Sequence, residues 1–309
     1  MKRLAYQGAA IAVALAIGWF FISNATANLE ARRIASGFGF LGREAGFEIG
    51  QAFFLSYGAA DSYLRALAVG LVNTLVVSLI GIVLATGLGS FVGLCRLSGN
   101  FLVRNLATGY VEFIRNVPLL VQLFFWYALI TELLPGTREA LNPFPGVFLS
   151  NRGIFFPTLA SSPVLDGFNF TGGAAITPEF AALLFGLATY TAAFIAEIVR
   201  AGILAVSRGQ HEAAEALGLN AFQKTFRVVL PQALRVIVPP LTSQFLNLTK
   251  NSSLAVAIGY PDLVSIANTT INQTGQAIEG IAVIMAVYLT ISLSISAFMN
   301  WYNARIALQ

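Results

Sequence analysis

Charge is what this chain has least of. Of its 309 residues, 18 are Lys or Arg and 14 are Asp or Glu, or 10 % charged types. An ordinary soluble domain carries about 25 %, so a cytosolic enzyme and a disordered chain are both excluded. Cysteine is nearly absent too. Cys95 stands alone, so there is neither an intrachain disulfide nor a Cys-x-x-Cys site. His211 is the only histidine. A His/Cys metal cluster cannot be built, and the sequence calls for no metal and no cofactor. Paired catalytic carboxylates at one depth are missing as well. The net charge of +4 does not argue for nucleic acid, because membrane proteins gather basic residues on one side.

What fills the chain is apolar. Uncharged runs of 26, 30 and 25 residues separate Arg3 from Glu30, Arg65 from Arg96, and Glu279 from Arg305. A bilayer core takes about 20 apolar residues in helical form. The stretches do not alternate as barrel strands do, and a helix satisfies its own backbone in lipid. The expected fold class is therefore an all-α, multi-pass membrane protein. Six spans are expected, at about 4–22, 67–95, 117–134, 178–199, 228–249 and 277–300, the fifth broken by Pro231, Pro239 and Pro240. One set of loops then holds eleven basic residues against three acids, and the other seven against seven. The first set, with both termini, is expected to face the cytoplasm. Lys2-Arg3, an apolar run and Ala25-Thr26-Ala27 also match a cleavable leader; the length of the run favours an uncleaved span. The chain divides into residues 1–63, a span plus an outer segment, and residues 64–305. The latter carries an outer insertion at about 135–176, rich in Pro and Gly, and an inner loop at about 200–230. The two outer stretches read as a folded cap or as a docking surface for an extracytoplasmic partner.

The inner loop has the strongest local signal. Ser207 and Gln210 suit a capping box, Glu212 and Glu215 sit toward the helix start, and Gly218 suits its stop. A helix of about three turns is expected, with the small residues Ala213, Ala214 and Ala216. A second helix should begin at Asn220 and Gln223 and run through Phe226. From the residues alone, this first helix could rest on the membrane surface or lie in a groove of another protein.

Polar residues inside spans are costly and are often functional. The fifth span offers Gln244, Asn247, Lys250, Asn251, Ser252 and Ser253, which could supply donors and acceptors to a zwitterion or bond between helices. Elsewhere, Glu112 with Arg115 and Glu197 with Arg200 are spaced for ion pairs. Gln122 reads as polar packing.

Glu212-Ala213-Ala214 followed by Gly218 and Leu230-Pro231 resembles the EAA loop of ABC importer permeases. The likeness extends from Gly209 through Leu217 to Leu219, and from Leu230-Pro231-Gln232-Ala233-Leu234-Arg235 to Pro239-Pro240. Glu112-Phe113-Ile114-Arg115-Asn116-Val117-Pro118 and Lys250-Asn251-Ser252-Ser253-Leu254 resemble the polar amino-acid branch, and the overall pattern its general L-amino-acid (Aap/Bzt-type) permeases. Asn251 stands where that branch usually has Asp. The resemblance covers about 65–305. It implies a type I ABC importer permease fold with a five-helix core, a second similar permease subunit, a periplasmic amino-acid-binding protein, and a cytoplasmic ATPase. Gly209, Glu212, Ala213, Ala214, Leu217 and Gly218 would carry the contact to that ATPase. A side chain at Gly218 would clash. No Gly-x-x-x-x-Gly-Lys-[Ser/Thr] phosphate loop is present, so ATP hydrolysis would belong to the partner. The competing reading is an ATP-independent transporter or channel, which needs no such loop.

Overall fold

A computed structural model describes residues 2–31 and 36–307. The long elements are α1 (Lys2–Ala31), α2 (Tyr63–Cys95), α3 (Phe101–Asn116), α4 (Leu119–Leu133), α5 (Pro178–Leu204), α6 (Arg208–Ala216), α7 (Ala221–Lys224), α8 (Leu230–Asn251), α9 (Leu263–Thr274) and α10 (Ala277–Ala307). Four helices are long and apolar enough to span a bilayer, and six spans result if each of two bent pairs counts as one. The multi-pass helical fold is as the apolar runs require.

Two of the expected spans differ in form. The third is a pair, α3 and α4, bent by 106°. Pro118 caps α4 with an extended ψ of 137°, and the residue before a proline avoids the helical region. Val117 accordingly ends α3 in extended backbone. At 15 residues, α4 reaches only about 22 Å. Gln122 closes the corner, its Nε2 donating to the carbonyls of Ile114 (2.9 Å) and Val117 (3.0 Å). The expected Glu112–Arg115 pair does not form among the described ion pairs; Arg115 lies over the Phe194 ring at 5.1 Å.

The fifth span is a correction. Pro239 and Pro240 lie inside α8 without breaking it, as membrane helices allow when neighbours satisfy the freed carbonyls. The break comes later. A 3-10 helix, Ser252–Ile258, ends at Gly259 with φ 79°, and α9 leaves at 52°. The composition of α9, Leu263–Thr274, is too polar to have counted as a span. Its signals are a cap at each end: Asp262 accepts from the Ser265 N–H at 2.8 Å, and Gly275 takes φ 73°.

The bundle is held by close backbone approach. A Cβ on Gly89 of α2 would lie 2.7 Å from Ile195 Cβ and 2.8 Å from the Ala192 carbonyl of α5; one on Gly93 would lie 2.8 Å from the Ala196 carbonyl. Ala85, Ala192, Ala193 and Ala196 are buried. Small residues four apart let helices touch where lipid provides no hydrophobic drive. At one end of the bundle, Glu197 binds Arg200 at 2.6 Å and also Arg96, the residue that caps the end of α2. We call this the basic end.

At the opposite end, the insertion forms strands rather than helix or loop, which its proline and glycine content did not reveal. The strands β1 (Leu141–Phe144), β2 (Val147–Ser150), β3 (Gly153–Phe156) and β6 (Ala174–Ile176) make one antiparallel sheet; β4 (Val164–Asp166) and β5 (Asn169–Thr171) make a hairpin. Phe170 of the hairpin packs on Phe148 and Phe155 of the sheet, with centroids 4.6 and 4.7 Å apart. The Ala25–Ala27 sequence lies within the continuous helix α1.

Overpacking a tight seam costs about 1–3 kcal/mol. Gly93→Leu should therefore lower the midpoint of thermal aggregation of the detergent-purified chain, whereas Gly87→Leu, with open space around it, should leave it in place.

Candidate functional site

Helix α6 projects from the basic end on a loop between α5 and α8. Ser207 is its N-cap, but no side-chain cap bond forms; the Gln210 N–H reaches the Ser207 carbonyl instead, at 3.1 Å. The expected capping box is thus absent here. Gln210 is drawn to the body of the protein, where its Oε1 accepts from Gln232 Nε2 of α8 at 3.1 Å. The capping box appears one helix later, between Asn220 and Gln223 at the start of α7. Glu212 and Glu215 fall beyond the first turn of the nine-residue helix, so the dipole argument for them fails.

The stop is as the glycine implies. Gly218 has φ 72°. Its N–H bonds to the Glu215 carbonyl at 2.9 Å, and the Leu219 N–H bonds to the Ala214 carbonyl at 3.1 Å. That pair is a Schellman motif. The expected clash at Gly218 is not found: a Cβ there would meet nothing within 4 Å. Only the left-handed backbone requires glycine.

This stop and a salt bridge fix which face of α6 looks outward. Lys224 Nζ binds Glu215 Oε1 at 2.6 Å, and this bond holds the exposed Glu215 carboxyl below its usual range. Ala214 is 2 % exposed and packs inward, away from the outward face. Gly209, Glu212, Ala213 and Ala216 are exposed at helical spacing, and Leu217 follows with 79 % exposure. The outward stripe is therefore short, small-sided, and carries one carboxylate and one apolar knob.

The polar residues of the fifth span separate into two groups. Gln244, Asn247 and Asn251 recur at i, i+3 and i+7 along α8, with Lys250 beside them; Asn247 and Lys250 are exposed, and Gln244 and Asn251 half-buried. Ser252 is fully buried, and its hydroxyl donates to the Thr249 carbonyl at 2.7 Å. Ser253 donates to the Lys250 carbonyl at 2.7 Å. The two serines hold the turn from α8 into the 3-10 helix, and Ser252 does not join the open polar face. No cluster of His, Cys, Asp or Glu able to hold a metal exists among the described residues.

Residues 85–308 match the model of the binding-protein-dependent transport system inner membrane component family. The chain belongs to that family. It is 47 % identical to the putative amino-acid ABC transporter permease protein YhdX of Escherichia coli K12, over 97 % of this chain and 92 % of that one. It is 41 % identical to the general L-amino acid transport system permease protein AapQ of Rhizobium johnstonii, over 99 % and 92 %. A crystal structure of an amino acid ABC transporter with histidines is 28 % identical, with a TM-score of 0.59 over 79 % of this chain and 95 % of that chain. An inward-facing MetNI methionine ABC transporter shares the fold, at 18 % identity and a TM-score of 0.55 over 79 % and 97 %.

The family is a membrane component of ABC importers, with the type I permease fold and no catalysis of its own. ATP hydrolysis therefore resides in a partner ATPase. Sequence reasoning found the loop but missed Gln210–Gln232 and Lys224–Glu215, which join residues 22 and 9 positions apart.

A left-handed site costs alanine about 1 kcal/mol and asparagine less. Gly218→Ala should speed proteolysis and amide exchange in residues 208–219, and Gly218→Asn should do so less.

Proposed function

We propose that this chain is the permease subunit of an ATP-driven importer that carries L-amino acids from periplasm to cytoplasm across the bacterial inner membrane. The observation that carries the reading is the outward stripe of α6. A stripe of Gly209, Glu212, Ala213, Ala216 and Leu217 at the basic end suits insertion into a cleft of a cytoplasmic ATPase. The basic end then faces the cytoplasm, in line with the excess of Arg and Lys, and so do both termini. The named relatives are amino-acid permeases, and this supports the cargo class.

The open polar face of α8 supports a second, homologous permease subunit. Gln244, Asn247 and Lys250 cannot face lipid at low cost. They face a water-filled path or another protein, and a path between two permeases supplies both. Asn251 and Ser253 stand at its outer end. A periplasmic amino-acid-binding protein delivers the cargo to the outer face, where the β-module provides a docking surface. Closure of the ATPase pair moves α6, and the bundle follows as a largely rigid body between two access states. The ATP-independent reading loses to the family assignment.

The complex, taken gently from its native membrane through a tag on this chain, should bring an ATPase with it. Hydrolysis should rise when periplasmic extract and mixed L-amino acids are added together. A chain that arrives without an ATPase, yet moves amino acids alone in liposomes, would overturn the reading. Glu212→Lys and Gly218→Asp should leave the chain in the membrane and cut uptake about tenfold or more, with hydrolysis no longer raised by cargo. Wild-type uptake by both would remove α6 from the coupling path. Asn247→Leu should lower uptake about tenfold, since an unpaired polar cargo group is rejected strongly, whereas Ser252→Ala should leave the apparent KM for cargo within about twofold.

A further inference from the structure

The outer segment between α1 and α2 is more than a tether. Residues 47–57 lie across the outer end of the bundle, and one buried side chain holds them there. Asn73 of α2 is wholly buried. Its Nδ2 donates to the Gln51 carbonyl at 2.8 Å and the Pro261 carbonyl at 2.9 Å; its Oδ1 accepts from the Phe53 N–H at 3.3 Å. Its own carbonyl accepts from the Tyr260 hydroxyl at 3.2 Å. One asparagine therefore joins the outer segment, α2 and the elbow before α9. A further bond ties the segment to α5, since Thr177 Oγ1 donates to Gln51 Oε1 at 2.7 Å. The Phe53 ring meets Phe180 at 5.1 Å.

The held segment is under strain. Phe54 has φ 59° and is 90 % exposed. A bulky residue adopts that backbone only where its surroundings over-determine it, and the Asn73 bonds to Gln51 and Phe53 lie just before it. Beneath the segment lies a cavity of about 340 Å³. Its roof is Phe47–Gln51; its walls include Thr177 and Glu179 of α5 and Ser265 and Thr269 of α9, and Gly259 and Pro261 of the elbow complete it. Gly259 ends the 3-10 helix that begins at Ser252, so the cavity adjoins the turn that closes the polar face of α8. The lining includes Glu48, Gln51, Ser265 and Thr269 and no Lys or Arg. Such a mixture suits a small zwitterion entered by its ammonium end.

We propose that residues 47–57 are an outer gate of the transport path: a strap, latched by Asn73, that roofs a polar chamber receiving the amino acid. This rests on the importer reading above. The latch joins the strap to α2 and the elbow, so the strap is the part that can move while the bundle stays a rigid body. Opening the outer mouth then requires the strap to lift from the elbow and α9, and closing restores the Asn73 bonds.

The test uses the complete importer in proteoliposomes, with Cys95→Ser and the pair Gly50→Cys and Thr269→Cys. A reducible bifunctional thiol reagent joins strap to α9. Bridging should cut uptake of labelled mixed L-amino acids about tenfold or more while ATP hydrolysis continues, and reduction should restore uptake in the same sample. Uptake that persists unchanged across the bridge overturns the gate. A second measurement does not depend on the cargo. In right-side-out vesicles, Ser265→Cys should react with a bulky membrane-impermeant maleimide about fivefold faster when Asn73→Ala is also present. Equal rates overturn the latch. A complex that imports no amino acid before bridging refutes the cargo assignment, and the labelling rates then still decide the strap.

Discussion

The approach of α2 to α5 is the contact from which the rest of the bundle hangs. At Gly89 and Gly93 α2 brings no side chain to the seam, so Ile195 and Val199 of α5 rest directly on its backbone, and buried alanines line the rest. In lipid, burying apolar surface against another helix yields no hydrophobic gain. Close van der Waals contact over a smooth backbone is what remains, and it falls off steeply with separation. This seam sets the spacing that lets Arg96 reach Glu197 at one end and lets Asn73 reach the elbow at the other. The same device is used between α5 and α8, where a Cβ on Gly202 would collide with Ile237.

The polar interactions then fall where the bilayer does not forbid them. At the basic end they are ionic: Arg96, Glu197 and Arg200, and further out Lys224 with Glu215. At the other end amides and hydroxyls join them, with Asn73 at the centre, beside the Arg65–Asp61 pair. Between the ends, most hydroxyls donate to the carbonyl four residues before them, as Thr249 does to Phe245 at 2.9 Å. The exception is the face of α8 that carries Gln244, Asn247 and Lys250. A polar stripe left open in a spanning helix marks the part of the surface not made for lipid.

Much of this was legible in the sequence, because the bilayer makes length and apolarity nearly sufficient. Long uncharged runs gave α1, α2 and α10, and Gly218 and Asn220 gave the stop of α6 and the start of α7. What escaped was decided by partners distant in the chain. Ser207 should cap α6 by local rule, but Gln232 of α8 claims Gln210. Pro239 and Pro240 should break α8, but packing keeps it whole. Ala214 is chemically the same as Ala213, and only the fold says which faces inward. The strands of the insertion are three or four residues long, too short for a period to show. Asn73 lies in an apolar run where a single amide reads as incidental.

The stretch that joins α7 to α8 has a mechanical consequence. Residues Thr225–Val229 form a π turn, which accommodates one residue more than an α turn of the same rise. The loop helix and α8 are therefore connected by a rod whose phase is not fixed by the α pattern alone. Were the extra residue taken up, α6 and α7 would rotate by about 100° against α8. The salt bridge from Lys224 to Glu215 lies just before the turn and would travel with the loop; the Gln210–Gln232 bond lies across it and would be severed. The chain thus holds a screw joint between the helix that projects from the basic end and the helix that carries the open polar face.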